Sequence, residues 1–333
     1  MALRPVSLRT PPLNADSGVT CLSPRIAWQY PRLKANGKTH ISFATPSFQF
    51  GNIAETIMLP CKKCLACRLT YAREWATRCV HEASKYTDNS FLTLTFDNEH
   101  LPADQCLDPQ IHVAFMDKLR DYVGERKIRY YMSGEYGEQN GRCHLHYLCF
   151  NWTPPDPIFL RKTKTGHPVY QSETLARLWG RGFVTIGNVS FQSAGYVARY
   201  VVKKSKSDTS EQERVWWNPN TEEYQIRTPE FNRMSCGTRK DGLGGIGKSW
   251  ITDPQNLADT LRDDNVIING QTMPVPAYYN QILEVANPER YAEIKLARKA
   301  HALAHAENHT EERLAVRRAV LAERVKGLDR TMS

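Results

Sequence analysis

The stretch Cys143-His144-Leu145-His146-Tyr147-Leu148-Cys149-Phe150 constrains this chain more than any other. Apolar and aromatic residues dominate it, so it reads as a buried strand. Side chains alternate between the two faces of a strand, so His144 and His146 point the same way while Leu145 and Tyr147 point the other. Two imidazoles on one face of a rigid strand are half of a metal site.

The neighbouring segments supply the rest. Arg129–Glu135 reads as another strand, and Tyr136-Gly137-Glu138-Gln139-Asn140-Gly141 as the turn joining it to the histidine strand, with Asn140-Gly141 as a hairpin signal. A hairpin brings Glu135 back beside His144 and His146, giving two imidazoles and one carboxylate with open positions. Downstream, Ala194–Lys204 reads as a helix. Tyr196 and Tyr200 lie at i and i+4 on one face, and Lys203 follows at i+7 with Lys204 beside it. A cation for a phosphate oxygen, a tyrosine to attack phosphorus and a lysine for the developing charge together make a reaction.

The order of the remaining segments sets the fold. Arg68–Tyr86 reads as a helix with Leu69, Ala72, Trp75, Ala76, Cys79 and Val80 on its apolar face and Arg73, Glu74, Arg78 and Glu82 elsewhere. Ser90–Phe96 is a strand. Gln110–Val123 is a helix with Ile111, Phe115, Leu119 and Tyr122 on one face. After the two strands of the hairpin come a loop at Pro154–Pro157, a short helix at Glu173–Trp179 and a strand at Gly182–Gly187. That order, β-α-β-β-α-β and then the tyrosine helix, is an α+β, ferredoxin-like split βαβ with an antiparallel sheet. In it the histidine strand is the third and lies in mid-sheet. The expected division is an irregular region over 1–60, in which Lys38–Phe43 reads as a strand, a core with its cysteine-rich helix over 61–206, and an accessory region over 207–333. The accessory region carries a hairpin at Val215–Tyr224, whose tryptophans suit a small satellite core or base stacking, and a basic helical arm over 281–327.

Two further motifs bear on cofactors. Cys61-Lys62-Lys63-Cys64-Leu65-Ala66-Cys67 contains two overlapping C-x2-C steps, a spacing that suits a structural Zn2+, with Cys21, Cys79 and His81 as candidates for a fourth ligand. Gly242–Ser249 satisfies G-x4-G-K-S, but the segment before it is too polar for a buried strand and Pro254 cuts short any following helix, so a nucleotide site is rejected in favour of a flexible basic glycine loop. The net charge of +9 and the pI near 9.1 favour a polyanionic partner over an acidic small molecule. No apolar run reaches membrane-spanning length, and the nine cysteines read as reduced, in a cytosol.

These residues resemble, together and in order, the replication initiators of small single-stranded DNA microviruses, most closely the gokushovirus branch. The resemblance rests on the cysteine run Cys61–Arg68, on Phe91-Leu92-Thr93-Leu94-Thr95, on Gly134-Glu135-Tyr136-Gly137-Glu138, on His144-Leu145-His146 and on Tyr196–Lys204, and it extends to Met234-Ser235 and Gly245-Ile246-Gly247. His144 and His146 match the HUH motif of rolling-circle initiators. The resemblance implies a site-specific nickase and strand transferase with Glu135, His144 and His146 holding Mg2+ or Mn2+, Tyr196 and Tyr200 as nucleophiles, and a 5′-phosphotyrosine product with a free 3′-OH. It implies origin DNA, single-stranded or as the supercoiled replicative form, and the host replication machinery as partners, in the host bacterial cytoplasm, with no membrane. The competing readings are a zinc-dependent nucleic-acid-binding module without catalysis, a mononuclear iron oxygenase, which uses the same ligand types with one histidine distant, and a relaxase or transposase of the same superfamily.

Overall fold

The computed structural model describes residues 21–33, 39–44, 55–137, 141–203, 215–218, 221–237 and 244–326; for 31–33 and 199–203 it describes the backbone alone. The chain divides into two compact units. One draws on the described residues up to Thr70, on Asp259–Val275 and on the described residues from Leu283; the other on Tyr71–Ala258 and Pro276–Ile282.

The first unit opens with β1 (Arg25–Leu33), β2 (Thr39–Ser42) and β3 (Glu55–Leu59), an antiparallel sheet in the order β2-β1-β3. The expected strand at Lys38–Phe43 corresponds to β2. Helix α1 (Leu65–Ala83) begins here and continues in the second unit. It starts three residues before the expected position, on Leu65 directly after Cys64.

The second unit holds β4 (Asn89–Phe96), α2 (Pro109–Val123), β5 (Arg129–Tyr136), β6 (Cys143–Phe150), β7 (Ile158–Lys162), β8 (Pro168–Gln171), α3 (Glu173–Trp179), β9 (Gly182–Gly187), α4 (Phe191–Lys203), β10 (Val215–Asn218), β11 (Glu223–Ile226), β12 (Phe231–Met234) and α5 (Lys248–Ile251). Helix α6 (Pro254–Asp263) then leads into the first unit, where β13 (Val266–Ile268) and β14 (Gln271–Met273) form a hairpin. Its two-residue turn, Asn269-Gly270, has both φ angles positive, at 50° and 74°, as a tight hairpin of this hand requires. The basic C-terminal segment is helical, as α7 (Ala277–Ala286), α8 (Pro288–Ala304) and α9 (Glu311–Lys326). Within the first unit α8 is anchored where the Arg298 fork meets the two Asp264 carboxylate oxygens.

The large sheet runs β12-β5-β6-β4-β9-β8-β7, antiparallel throughout. Its centre, β5-β6-β4-β9, is the expected ferredoxin-like order, with the histidine strand inside. Three strands extend it beyond expectation. At one edge β7 and β8 occupy the stretch after Pro157 that had no assigned structure; at the other edge β12 pairs with β5.

Alternation along the strands separates two cores. Leu92, Leu94, Phe96, Met132, Leu145 and Tyr147 face one side, where Phe115, Met116 and Leu119 of α2 and Leu175, Leu178 and Trp179 of α3 cover them. Burying each Leu or Phe of this set contributes about 2 kcal/mol. Phe91, Tyr131, Leu148 and Phe150 face the other side, under Ala72, Trp75, Ala76 and Cys79 of α1 and Ala194, Tyr196, Val197 and Ala198 of α4. Trp75 stacks on Tyr131 at 4.5 Å between ring centres. Helix α2 is rotated from its expected face: His112, Phe115, Met116 and Leu119 are buried, whereas Tyr122 is 45% exposed. His112 goes inside because its two ring nitrogens meet the hydroxyls of Tyr147 and Tyr130 at 2.9 and 3.2 Å, so the polar ring is satisfied there.

The α1 reading needs one larger correction. Glu82, expected away from the apolar face, is buried and ion-paired with the equally buried Arg129 of β5. Its second oxygen accepts from the backbone N–H of Gly247 at 2.6 Å. Arg129 also donates to Gly244 O at 3.0 Å, and Arg78 to Ile246 O at 3.0 Å. The described part of the glycine loop is therefore held in place, not flexible. Its φ of 80° at Gly247, and the Tyr279 hydroxyl packed against the place where a Cβ would stand, leave room for glycine alone. A carboxylate from inside the protein occupies the loop N–H that a P-loop would offer to phosphate, and only a four-residue helix follows, so the rejection of a nucleotide site stands on packing. Residues 242–243 of the motif lie outside the described residues. No helix among the described residues is long and apolar enough to cross a membrane.

Candidate active site and metal centres

The register of the hairpin pairs Glu135 with His144 and Ser133 with His146, and the partner strand β4 pairs Thr95 with His144 and Thr93 with His146. All of these lie on the face covered by α1 and α4. The helices cover only the Phe91, Tyr131, Leu148 and Phe150 end, so the polar rows stand beside the helical layer. The connection between β5 and β6 is wider than a two-residue turn: Tyr136 pairs with Cys143, Gly137 N donates to Arg142 O at 2.8 Å, and Gly141 takes φ 61°. Asn140 of the expected turn lies outside the described residues.

Glu135 is fully buried, and its Oε1 lies 2.7 Å from His144 Nε2 and in contact with His146 Nε2. The other ring nitrogens are engaged elsewhere. His144 Nδ1 lies 3.1 Å from Arg142 O and His146 Nδ1 2.9 Å from Thr93 Oγ1. Assigning each proton to Nδ1 satisfies both contacts and leaves two Nε2 lone pairs directed at the carboxylate. Glu135 Oε2 is buried and has no hydrogen-bond partner. Converging acceptors with an orphaned buried oxygen fit a cation; all three side chains offer ligand atoms within 4.8 Å of one another. Burial pushes the Glu135 carboxyl up, but the two imidazoles outweigh it and bring it down to about 2, so it is ionised. Burial pushes the His146 imidazole down, against the pull of Glu135, which keeps its neutral, ligand-competent form.

Helix α4 brings Tyr196 to this centre. The helix starts earlier than the sequence suggested because Ser190 and Ser193 cap it reciprocally: Ser193 N donates to Ser190 Oγ at 3.1 Å and Ser190 N to Ser193 Oγ at 2.8 Å. Ala194, Val197 and Ala198 then anchor it on Phe91 and Leu148. Tyr196 is 6% exposed; its hydroxyl donates to Glu135 Oε1 at 3.4 Å, and its ring stands edge-on to His146 at 5.2 Å. Tyr200 and Lys203 are on the same helix, but their side chains lie outside the described residues, as does Lys204 entirely.

The second cluster joins Cys61, Cys64 and Cys67 to Cys21, with all four sulfurs within 4.8 Å of one another. Cys21 and Cys64 Sγ are 3.8 Å apart, which is the edge of a tetrahedron with metal–sulfur bonds of about 2.3 Å. Backbone N–H groups of Leu22, Cys61 and Cys64 donate to these sulfurs at 3.2–3.3 Å, as thiolates require. Burial raises the Cys21 and Cys67 thiols; at Cys61 burial is outweighed by the N–H groups of Cys64 and Lys63, which bring it to about 7. Of the other candidates for a fourth ligand, Cys79 is buried in the core of the second unit, and His81 stacks on Trp250 and meets the Tyr279 hydroxyl at 3.0 Å.

Thr93 and Cys21 are the residues that sequence reading missed or left undecided at the two centres. Thr93 was legible in the alternation of Phe91-Leu92-Thr93-Leu94-Thr95, which puts it across from a histidine once the strand order is known. Nothing local singles out Cys21 from the other candidates, since it is 40 residues from Cys61.

Fold and site together define a class: an α+β protein with a two-histidine, one-carboxylate ligand set in the middle of an antiparallel sheet and a helix-borne tyrosine against it. The family of replication-associated proteins described by ORF2 and the gene 2 protein matches residues 89–205, the span from β4 through α4. Replication-associated protein VP4 of Bdellovibrio phage phiMH2K is 33% identical over 261 residues, 76% of each chain. Replication-associated protein ORF2 of Spiroplasma virus 4 is 37% identical over 241 residues, 68% of each chain. Replication-associated protein ORF4 of Chlamydia phage 1 is 37% identical over 154 residues, 44% of this chain and 38% of that one. No solved structure matches. The chain belongs to this family of phage replication-associated proteins and is a microvirus-like replication initiator.

Proposed function

We propose that the protein is a site-specific DNA endonuclease and strand transferase that starts and ends rolling-circle replication of a small single-stranded DNA phage. One oxygen carries this reading: Glu135 Oε1, in contact with His144 Nε2, His146 Nε2 and the Tyr196 hydroxyl. Mg2+ or Mn2+, when held by Glu135, His144 and His146, would polarise the scissile phosphate and offset the charge developing on its oxygens. Thr93 and the Arg142 carbonyl hold the imidazoles in the orientation that ligation needs. Burial of Tyr196 against Phe91 and His146 fixes its phenol in advance of the reaction.

The phenol oxygen attacks phosphorus in line with the 3′ oxygen of the scissile bond. The new P–O bond to tyrosine forms as the bond from phosphorus to the 3′ oxygen breaks; the phenol loses its proton and the departing oxygen gains one. One phosphodiester replaces another, so the step is close to isoenergetic and runs backwards at termination. Tyr200, one helical turn or about 5.4 Å further along the axis, supplies the second nucleophile, which cleaves the regenerated origin so that the freed 3′-OH resolves the first link. Lys203 and Lys204 follow on the same helix and serve the developing charge. The free 3′-OH primes a host polymerase in the host cytoplasm.

Cys21, Cys61, Cys64 and Cys67 hold a structural Zn2+ on this reading. The same cluster supports the second reading, a zinc-dependent nucleic-acid-binding module without catalysis. Incubation with circular single-stranded DNA carrying candidate origins, followed by denaturing gels, separates the two. A covalent protein–DNA adduct that requires Mg2+ or Mn2+ and maps to Tyr196 or Tyr200 is the expected result; binding without any adduct is the outcome of the module.

A further inference from the structure

A cleft of about 230 Å³ leads away from His146 and Tyr196 across the open half of the sheet, over β4 and β9, to the added hairpin β7–β8. Its floor is hydroxyl-bearing, with Thr93, Thr95 and Thr185; its far wall carries Arg161 and His167. Among the described residues that line it there is no carboxylate. The hairpin itself, residues 158–171, adds Lys162 and Lys164 to Arg161 and contains no acidic residue. Arg161 has no ion-pair or hydrogen-bond partner among the described residues.

Phe183 stands in this cleft. It is 68% exposed, on an interior strand whose neighbouring inward residues Val184 and Ile186 are buried. The pairing places Phe183 opposite Thr95, and Thr95 opposite His144, on one face. The row Phe183–Thr95–His144–Glu135 therefore crosses four strands, and the ring sits two strand spacings, about 10 Å, from the His144 ligand. An exposed aromatic ring in line with a metal centre, beside a cationic wall free of carboxylates, matches one ligand chemistry: an unpaired base for the ring and its backbone phosphate for the cations.

We propose that this cleft is a nucleotide subsite for single-stranded DNA flanking the scissile phosphate, with the base stacked on Phe183 and the adjoining phosphate held by Arg161 and His167. It rests on the reading of the protein as a DNA endonuclease. A base reaches the ring face only when unpaired, so the subsite selects single-stranded over duplex DNA at this position. The insertion of β7 and β8 extends the sheet beyond the ferredoxin-like order and supplies the phosphate-binding wall.

The test measures binding and cleavage separately with the full-length protein. Anisotropy with a labelled single-stranded origin oligonucleotide, in chelator, gives affinity without cleavage; adduct formation in Mg2+ is read on the same preparations. Phe183→Ala should weaken binding about 5- to 100-fold, the range set by loss of one stacked base, and Phe183→Trp should restore it. Arg161→Ala should lower the dependence of log affinity on log salt by about 0.7, one phosphate contact. Binding of duplex DNA should change little in either variant. Wild-type affinity for the single strand in Phe183→Ala, or equal losses in Phe183→Ala and Phe183→Trp, overturns the subsite. Failure of the two readings is distinguishable: an active wild-type protein with an indifferent Phe183 sinks the subsite alone, whereas Phe183-dependent binding without any adduct sinks the endonuclease and leaves the subsite standing.

Discussion

Replacing Glu82 by Gln keeps its shape but removes a charge from a site with almost no water. The two side chains of the Glu82–Arg129 pair are 1% and 3% exposed. Glu82→Gln leaves the Arg129 guanidinium buried without a counter-charge and weakens the Gly247 N–H bond, now to a neutral acceptor. Removing one partner of a buried pair costs about 3–5 kcal/mol, because the remaining charge keeps its desolvation penalty. That is a large share of a stability of about 5–15 kcal/mol. For a unit of this size each kcal/mol moves the midpoint by about 2–4 °C, so a fall of roughly 6–20 °C is expected by differential scanning fluorimetry. Arg129→Met should cost a similar amount, since it strands the carboxylate. The double variant should lose much less than the sum, because no uncompensated charge remains. Amide exchange at Gly247 should accelerate in Glu82→Gln, which locates the loosening in the glycine loop. A midpoint within about 3 °C of wild type in both single variants, or additive losses in the double, would refute the argument.

Tyr196→Phe and Tyr200→Phe should each retain some cleavage of a short origin oligonucleotide yet fail to complete a replication round, and the double variant should form no adduct; DNA mapped to another residue excludes the alternating mechanism. His144→Ala and His146→Ala should abolish nicking while thermal unfolding stays cooperative, and wild-type nicking in both would void the site assignment. Thr93→Val should weaken cation affinity about 10- to 100-fold by releasing the His146 ring, read by titrating Mn2+ into the cleavage assay; an unchanged titration contradicts the orienting role. Cys64→Ser should lower zinc in elemental analysis and destabilise the protein, and a zinc-free wild-type preparation would sink that site. Burial brings His81 to about 3 and His112 to about 4. The unfolded chain binds protons at these residues below about 6.5 while the folded chain does not. Their contribution is thus fully present above that pH and is lost as pH falls through the window toward 4, by roughly 2 kcal/mol each at pH 5. Urea unfolding at pH 7.5 and 5 checks this, and equal stabilities at the two values count against it.

The sequence by itself determined the parts whose information is local. Period-two alternation put His144 and His146 on one side of a strand, and the turn signal folded Glu135 back to them; the structure has both. Helical spacing placed Tyr196 and Tyr200 on one face, and the order of elements fixed the ferredoxin-like centre of the sheet. Tertiary structure decided what depends on a partner distant in the chain. Glu82 looks like a solvent residue until Arg129 and the Gly247 N–H arrive to offset its desolvation, because a charge is buried only where its counter-charge is also buried. His112 turned inward for the same reason, on two tyrosine hydroxyls. Cys21 became the fourth sulfur by convergence across 40 residues of chain, a closure no spacing rule can read. The edge strands β7, β8 and β12 are short, and short strands form on the template of strands already paired, so their propensity alone gave no signal. Hence the chemistry of the metal centre was legible from its own residues, while the walls around it, Thr93 and the cationic hairpin included, were set by which strands lie side by side.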